Sequence, residues 1–121
     1  MARKIIFFEK HFIEFYASQD SKVKDKIQYT FSLIKQVERV PKKFLKHLEG
    51  TNGLYEIRIE YQSNIYRIFC CFDDGNLVVL FNGFHKKSQK TPKKELDKGK
   101  RLMKKYFEIK NKNNGKQIQK H

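Results

Sequence analysis

Three apolar runs follow one another in the middle of the chain and constrain its fold more than any other feature. They span residues 55–61, 65–72 and 77–84, with only a few residues between them. The first alternates apolar and polar residues, as in a strand with one buried face, and the segment 73–76 (Asp-Asp-Gly-Asn) is typical of a hairpin turn. Such short connections join antiparallel neighbours, so we predict a three-strand antiparallel meander. The second and third runs are apolar on both faces, which predicts a sheet covered on one side and lining a pocket on the other.

Further strand and helix patterns flank the meander on both sides. A β-branched and aromatic stretch predicts a first strand, and apolar residues spaced by three and four after the N-cap residue Asp20 predict a long amphipathic helix. Proline at a first helical position predicts two further helix starts, at Pro41 and Pro92. The predicted elements are a strand over 4–8 and helices over 10–17, 21–39, 41–47 and 92–110.

These patterns predict one α+β domain over residues 1–110. A chain of 121 residues is long enough for a single hydrophobic core. Gly99 lies on the apolar face of the last helix, where it either weakens the helix by about 1 kcal/mol relative to alanine or permits close packing. The polar segment 111–121 predicts a disordered basic tail.

The net charge of +14 indicates a polyanionic partner. Nucleic acid is favoured over an anionic membrane, because the basic residues are spread along the chain rather than placed beside a broad apolar helix face. No stretch reaches membrane-spanning length. The adjacent cysteines Cys70 and Cys71 would point to opposite faces of a strand, which argues against a disulfide framework or a zinc site. We therefore expect a cytoplasmic protein with no membrane partner.

A basic segment follows the third strand of the meander and is the strongest candidate for a binding site. It contains His85 and five lysines within nine residues, namely Lys86, Lys87, Lys90, Lys93 and Lys94. Lysine runs of this kind are often solvated loops, and an arginine within a strand is either exposed or the anchor for an anion. Arg58 and Arg67 lie on neighbouring predicted strands, which can bring them to one face. Together with the lysines and His85, they predict a concave, positively charged patch on the sheet.

Such a patch could cleave RNA without a metal ion. The 2′-hydroxyl of RNA attacks the adjacent phosphorus, so a protein needs to move two protons and neutralise the phosphorane. Arginine binds phosphate oxygens bidentately, and crowded lysines or a histidine can carry protons near neutral pH. The acids between residues 53 and 90 are Glu56, Glu60, Asp73 and Asp74, and the last two are assigned to a turn. We therefore predict neither a metal site nor a cofactor.

Three segments together resemble the phage-derived HigB branch of the RelE/ParE toxin superfamily over roughly residues 4–106. They are Leu-Glu-Gly-Thr-Asn-Gly-Leu-Tyr-Glu-Ile-Arg (48–58), Tyr-Arg-Ile (66–68) and Gly-Phe-His-Lys-Lys-Ser-Gln-Lys-Thr-Pro (83–92). The resemblance implies the toxin of a type II toxin–antitoxin pair with a RelE-like, microbial-RNase-like fold. It further implies a protein that cuts mRNA on the ribosome and is silenced by a helix-turn-helix (HigA-like) antitoxin.

The resemblance also implies roles for individual residues. Arg67 matches the arginine proposed to hold the scissile phosphate, while Arg58 and the lysines Lys86, Lys87 and Lys90 match the basic positions of the family. His85 departs from the aliphatic residue that is usual there, although ribonuclease relatives place a histidine near this strand end, so it is a candidate acid or base. Catalytic roles are thus predicted for Arg67, Arg58, Lys87, Lys90 and His85, and nucleic-acid contacts for Lys86, Lys87, Lys90, Lys93 and Lys94. Two other hypotheses remain open: a ParE-like inhibitor of DNA gyrase, and an RNA-binding domain without catalytic activity.

Overall fold

The computed structural model of the chain describes residues 2–87 and 90–119, with side chains described as far as residue 113. The described residues form three helices and five strands. They are β1 (Lys4–Phe7), α1 (His11–Ala17), α2 (Ser21–Gln36), β2 (Leu45–His47), β3 (Tyr55–Tyr61), β4 (Asn64–Asp73), β5 (Leu77–Lys86) and α3 (Lys93–Gln119).

The five strands form one mixed sheet with the order β1-β5-β4-β3-β2. The predicted meander is confirmed as β3-β4-β5, whose neighbours pair antiparallel, while β1 adds to β5 in parallel. At the β4–β5 turn, Asp74 and Gly75 both have positive φ, 50° and 78°. Two consecutive positive φ angles define the tight hairpin turn that matches the twist of the strands. The α+β fold class is confirmed.

Helices α1 and α2 cover one face of the sheet. Asp20 caps α2 by accepting a hydrogen bond from the Val23 amide at 3.0 Å, as predicted. The helix ends at Gln36 rather than near residue 39. Its last turn is held by Arg3, whose guanidinium donates to the Ile34 carbonyl at 2.9 Å. The last carbonyl groups of a helix have no partner within it, so the hydrogen bond from Arg3 stabilises the end of α2.

Helix α3 covers much of the second face, so β4 and β5 are enclosed on both sides along most of their length. Phe69, Val79 and Phe81 are fully buried between the sheet and α3. The apolar second face of these strands therefore packs against a helix over this region, where the sequence predicted that it would line a pocket. Gly99 makes the packing possible, because a Cβ atom there would lie 2.7 Å from the ring of Phe69 and 3.3 Å from Oδ1 of Asn82.

We expect Gly99→Ala to lower the free energy of unfolding by about 1–3 kcal/mol, the usual cost of overpacking a close-packed core. Helix propensity alone would favour alanine by about 1 kcal/mol, so the two effects have opposite signs. Urea unfolding followed by circular dichroism would measure the difference. Lys100→Ala, on an exposed position of the same helix, is the matched control. A Gly99→Ala protein more stable than the wild type would contradict the close packing.

Two predicted elements differ from the structure. Residues 41–47 do not form a helix: Phe44 and Leu45 donate to the Pro41 carbonyl in a turn, and β2 then pairs antiparallel with β3. This pairing satisfies backbone groups in the first part of β3, from Tyr55 to Ile57, which a helix at this position would leave unpaired at the sheet edge.

The last helix continues to Gln119, whereas its sequence predicts an end near residue 110 followed by a disordered tail. Residues 120 and 121 of that tail lie outside the described residues. Asp73 ties the helix to the sheet, because its buried carboxylate accepts hydrogen bonds from Tyr106 at 2.6 Å and from Lys110. Burial would raise the pKa of Asp73, but the bonds from Lys110 and Tyr106 outweigh it and lower that pKa. No described helix is both long and apolar enough to cross a membrane.

Candidate functional site: a basic patch on the sheet

Four cationic side chains share the face of the sheet that α3 covers only in part. Arg58 and Arg67 lie directly opposite each other on β3 and β4, and besides burial, the charges of both lower the pKa of Lys86 on β5, as does that of Lys46 on β2. We call Lys46, Arg58, Arg67 and Lys86 the basic sheet patch. The patch lies beyond the first turn of α3. The contacts of α3 with the sheet begin at Asn82 and run toward the β4–β5 turn, which is away from the patch.

Arg67 is the most buried member of the basic sheet patch. It is 8% exposed, and its guanidinium forms an ion pair with the carboxylate of Glu56, which is 3% exposed. Burial lowers the pKa of Arg67, although a guanidinium stays protonated at physiological pH. The pairing with Glu56 holds Arg67 in place from the neighbouring strand.

The two arginines retain hydrogen-bonding capacity. Arg58 donates to Oε1 of Glu60 at 2.6 Å. Nevertheless, the Nε atoms of Arg58 and Arg67 are both buried and have no hydrogen-bond partner among the described residues. Like charges directly opposite each other on neighbouring strands are destabilising, and a buried donor without a partner costs further free energy. An anion bound between the two guanidinium groups would relieve the repulsion between their charges.

The surroundings of Lys86 lower the pKa of its amine. Partial burial lowers its pKa, and the positive charges of Arg67, Arg58 and Lys46 lower it further. The direction of this shift favours the neutral amine, which can accept a proton.

The lowered pKa of Lys86 predicts a pH-dependent effect on stability. Between this lowered pKa and the unfolded value of 10.5, the unfolded chain binds more protons, so the free energy of unfolding attributable to Lys86 rises with pH. We expect Lys86→Met to be more stable than the wild type at pH 7 by about 0.5 kcal/mol, the size of one like-charge contact between strands. That advantage should shrink as the pH approaches 10.5.

Urea unfolding at stepped pH would measure this difference, with Lys87→Met as the control because Lys87 is exposed and follows the end of β5. A stability gain for Lys86→Met that stays constant up to pH 10.5, or an equal pH dependence for Lys87→Met, would contradict the assignment.

The structure does not bring His85 to the basic sheet patch. Its ring stacks on Tyr66 with the centroids 4.7 Å apart, and its Nε2 lies 3.1 Å from Oδ1 of Asn64. Tyr66 belongs to the core beneath α1 and α2, so His85 lies on the opposite face of the sheet from Arg67. The predicted convergence of His85 with the arginines is therefore not found.

The remaining predicted lysines lie on the surface beyond the patch. Lys87, Lys90, Lys93 and Lys94 are exposed, and residues 88 and 89 between them are outside the described residues. Lys93 forms an exposed i,i+4 pair with Asp97 at 3.9 Å, a contact of little energetic value. Lys86, by contrast, is part of β5 and only partly exposed.

Two residues of the site were not predicted from the sequence. Lys46 was assigned to a helix, and Glu56 was considered only as one of the acids too few for a metal site. The isolated Arg67 in an apolar run was a usable signal for Glu56, because a buried charge requires a partner and Glu56 lies on the neighbouring strand. In the part of the chain that the structure describes, no three His, Cys, Asp or Glu side chains are grouped so as to hold a metal ion.

The mixed sheet flanked by these helices is the fold of RelE. A chain of the archaeal RelE–RelB complex from Pyrococcus horikoshii superposes with a TM-score of 0.54 at 17% sequence identity, and the match covers 72% of this chain and 98% of that one. At this identity the likeness concerns the fold alone. Residues 14–104 match the family described as phage-derived protein Gp49-like, and the chain belongs to that family. Comparison with curated protein sequences gives no significant match.

Proposed function

We propose that this protein is the toxin of a type II toxin–antitoxin pair and a metal-independent endoribonuclease that cuts ribosome-bound mRNA. The observation that carries the proposal is the basic sheet patch, in which Arg58 and Arg67 lie opposite each other on neighbouring strands beside Lys86, whose pKa is lowered by burial and by their positive charges. Membership of the Gp49-like family and the RelE fold are consistent with it, as is the sequence resemblance to the HigB branch.

In the proposed reaction, the neutral amine of Lys86 takes the proton from the 2′-hydroxyl of the RNA. The 2′-oxygen then attacks the adjacent phosphorus, and Arg58 and Arg67 donate to the oxygens of the phosphorane. The bond to the 5′-oxygen breaks, and a nearby ammonium group protonates this leaving oxygen. The products are a 2′,3′-cyclic phosphate and a 5′-hydroxyl end, and no metal ion or cofactor takes part.

Lys46, Lys87 and Lys90 are the candidates for the ammonium group that protonates the leaving oxygen. Exposed lysines after β5 and in the first turn of α3 supply contacts to the phosphate backbone that are independent of sequence, namely Lys87, Lys90, Lys93 and Lys94. His85 faces the other side of the sheet, so the proposed mechanism assigns it no proton transfer.

We further propose that a helix-turn-helix (HigA-like) antitoxin encoded beside the toxin silences it in the cytoplasm. The relative of similar fold was crystallised with its partner RelB. The partner proposed here is a small folded protein that covers the basic sheet patch or holds the toxin away from the ribosome.

Mapping transcript 5′ ends after brief induction would test the proposed function. We expect new 5′-hydroxyl ends inside translated reading frames, and we expect cleavage of the same mRNA in a purified translation reaction but little in the absence of ribosomes. Growth arrest with intact transcripts and inhibited DNA supercoiling would instead indicate a gyrase inhibitor. Salt-sensitive RNA binding without cleavage in either assay would indicate a binding domain.

A further inference from the structure

A cleft of about 370 Å³ opens at the edge of the sheet, between α2 and the end of β3 that β2 leaves uncovered. It is lined by three cationic, two aromatic and one acidic side chain, namely Lys26, Lys43, Arg58, Tyr29, Phe44 and Glu60. Packing does not explain this composition, because Tyr29 is 56% exposed on a helix whose buried residues lie on another face.

A lysine ammonium group lies over each of the two aromatic rings in the cleft. Nζ of Lys26 lies 5.0 Å from the centroid of Tyr29, and Nζ of Lys43 lies 5.2 Å from the centroid of Phe44. Aromatic faces beside mobile cations are the combination by which proteins hold single-stranded nucleic acid, since the ring stacks on a base while the cation meets the phosphate.

Arg58 connects the cleft to the basic sheet patch. It lines the cleft, and it also lies directly opposite Arg67 in the β3–β4 pairing. A phosphate held by the two arginines would therefore place its neighbouring nucleotide at the mouth of the cleft. Glu60 binds Arg58 through Oε1, and its second oxygen can accept a hydrogen bond.

We infer that the cleft is a nucleobase subsite, in which the nucleotide beside the scissile linkage stacks its base on the exposed ring of Tyr29 and Glu60 accepts a hydrogen bond from an exocyclic amino group. Adenine, cytosine and guanine carry such a group and uracil does not. The inference rests on the proposed function for the position of the cleaved linkage, whereas binding of the base does not require cleavage.

A short 2′-O-methyl RNA carrying 2-aminopurine at either end is a suitable probe, because it lacks the attacking hydroxyl and cannot be cut. Its fluorescence is quenched when the base stacks. We expect the full-length protein to quench one of the two probes, and Tyr29→Ala to abolish the quenching and weaken binding about tenfold, within the range for one base–aromatic stack. Tyr29→Phe, which keeps the ring, should restore both.

Charge and base preference provide independent measurements. Lys26→Ala should weaken binding more than Lys22→Ala, which removes the same charge from an exposed position outside the cleft. The wild type should favour cytidine over uridine at the subsite about fivefold. Glu60→Gln should remove this preference, because an amide can donate to uracil as readily as it accepts from cytosine.

Unchanged quenching in Tyr29→Ala, or equal losses in Lys26→Ala and Lys22→Ala, would overturn the subsite. The outcomes for subsite and nuclease are separable. Quenching that depends on Tyr29, without cleavage of any RNA, would uphold the subsite and refute the nuclease. Cleavage together with quenching that does not depend on Tyr29 would uphold the nuclease and refute the subsite.

Discussion

Replacing Arg67 with lysine should lower the rate of mRNA cleavage by roughly 100- to 1,000-fold, the usual cost of losing one preorganised donor to a transition-state oxyanion. Lysine keeps the positive charge but cannot present two parallel N–H groups to a phosphorane. The measurement is the rate of cleavage of a defined mRNA in a purified translation reaction, with growth inhibition on induction as the cellular counterpart.

The choice of lysine over alanine follows from the burial of Arg67. Alanine would leave the carboxylate of Glu56 buried without its partner, and breaking a buried ion pair in this way costs about 3–5 kcal/mol. A loss of cleavage in Arg67→Ala could then reflect unfolding rather than a role in catalysis. Lysine can keep the ion pair with Glu56, so the effect of the substitution on cleavage can be measured apart from its effect on stability.

Two controls accompany this substitution. Arg101→Lys makes the same change at an exposed position on α3 and should leave the cleavage rate within a factor of two or so. Thermal unfolding should show that Arg67→Lys is folded. A folded Arg67→Lys protein that cuts mRNA at the wild-type rate would remove Arg67 from the mechanism and, with it, the main support for the nuclease.

The sequence predicts the meander and the long helix well because both patterns are local. Alternation between residues 55 and 61 and the Asp-Asp-Gly-Asn turn each specify their structure without reference to the rest of the chain. The short strand β2 could not be predicted in this way. Its three residues become a strand by pairing with β3, a long-range interaction that outweighs the helix-start preference of Pro41.

The placement of His85 and Lys86 depends on one extra residue in β5. Near the turn, Asp73 pairs with Leu77 and Cys70 with Leu80; beyond an irregularity between Ile68 and Cys70, Arg67 pairs with Phe84. Without this β-bulge the register would pair Arg67 with Gly83, and His85 would lie on the arginine face. A shift of one residue exchanges the two faces of a strand. The bulge therefore brings Lys86 to the basic sheet patch in place of His85.

The arginines themselves were recognisable from the sequence because charged residues are rare in apolar strands. Their surroundings were not, because a single sequence gives no register between β3 and β4. Glu56 lies diagonally across from Arg67 in that register, opposite Phe69. Glu56 is therefore recognisable as the partner of Arg67 only in the structure, and its substitution has the largest expected effect on stability.

We expect Glu56→Gln to lower the free energy of unfolding by about 3–5 kcal/mol, because Arg67 would remain buried without its counter-charge and opposite Arg58. For a domain of this size the melting temperature should fall by roughly 10–20 °C. Glu60→Gln is the matched control: that side chain is 61% exposed in its pair with Arg58, and such pairs contribute at most about 1 kcal/mol.

A polyanion provides the decisive comparison for Glu56. If the basic sheet patch binds phosphate, heparin or a non-cleavable 2′-O-methyl RNA should raise the melting temperature of Glu56→Gln by more than that of the wild type, because the bound anion replaces the missing carboxylate. Equal small losses of stability in Glu56→Gln and Glu60→Gln would show that the buried pair does not hold Arg67. Equal shifts with polyanion in the wild type and Glu56→Gln would show that the anion binds outside the patch.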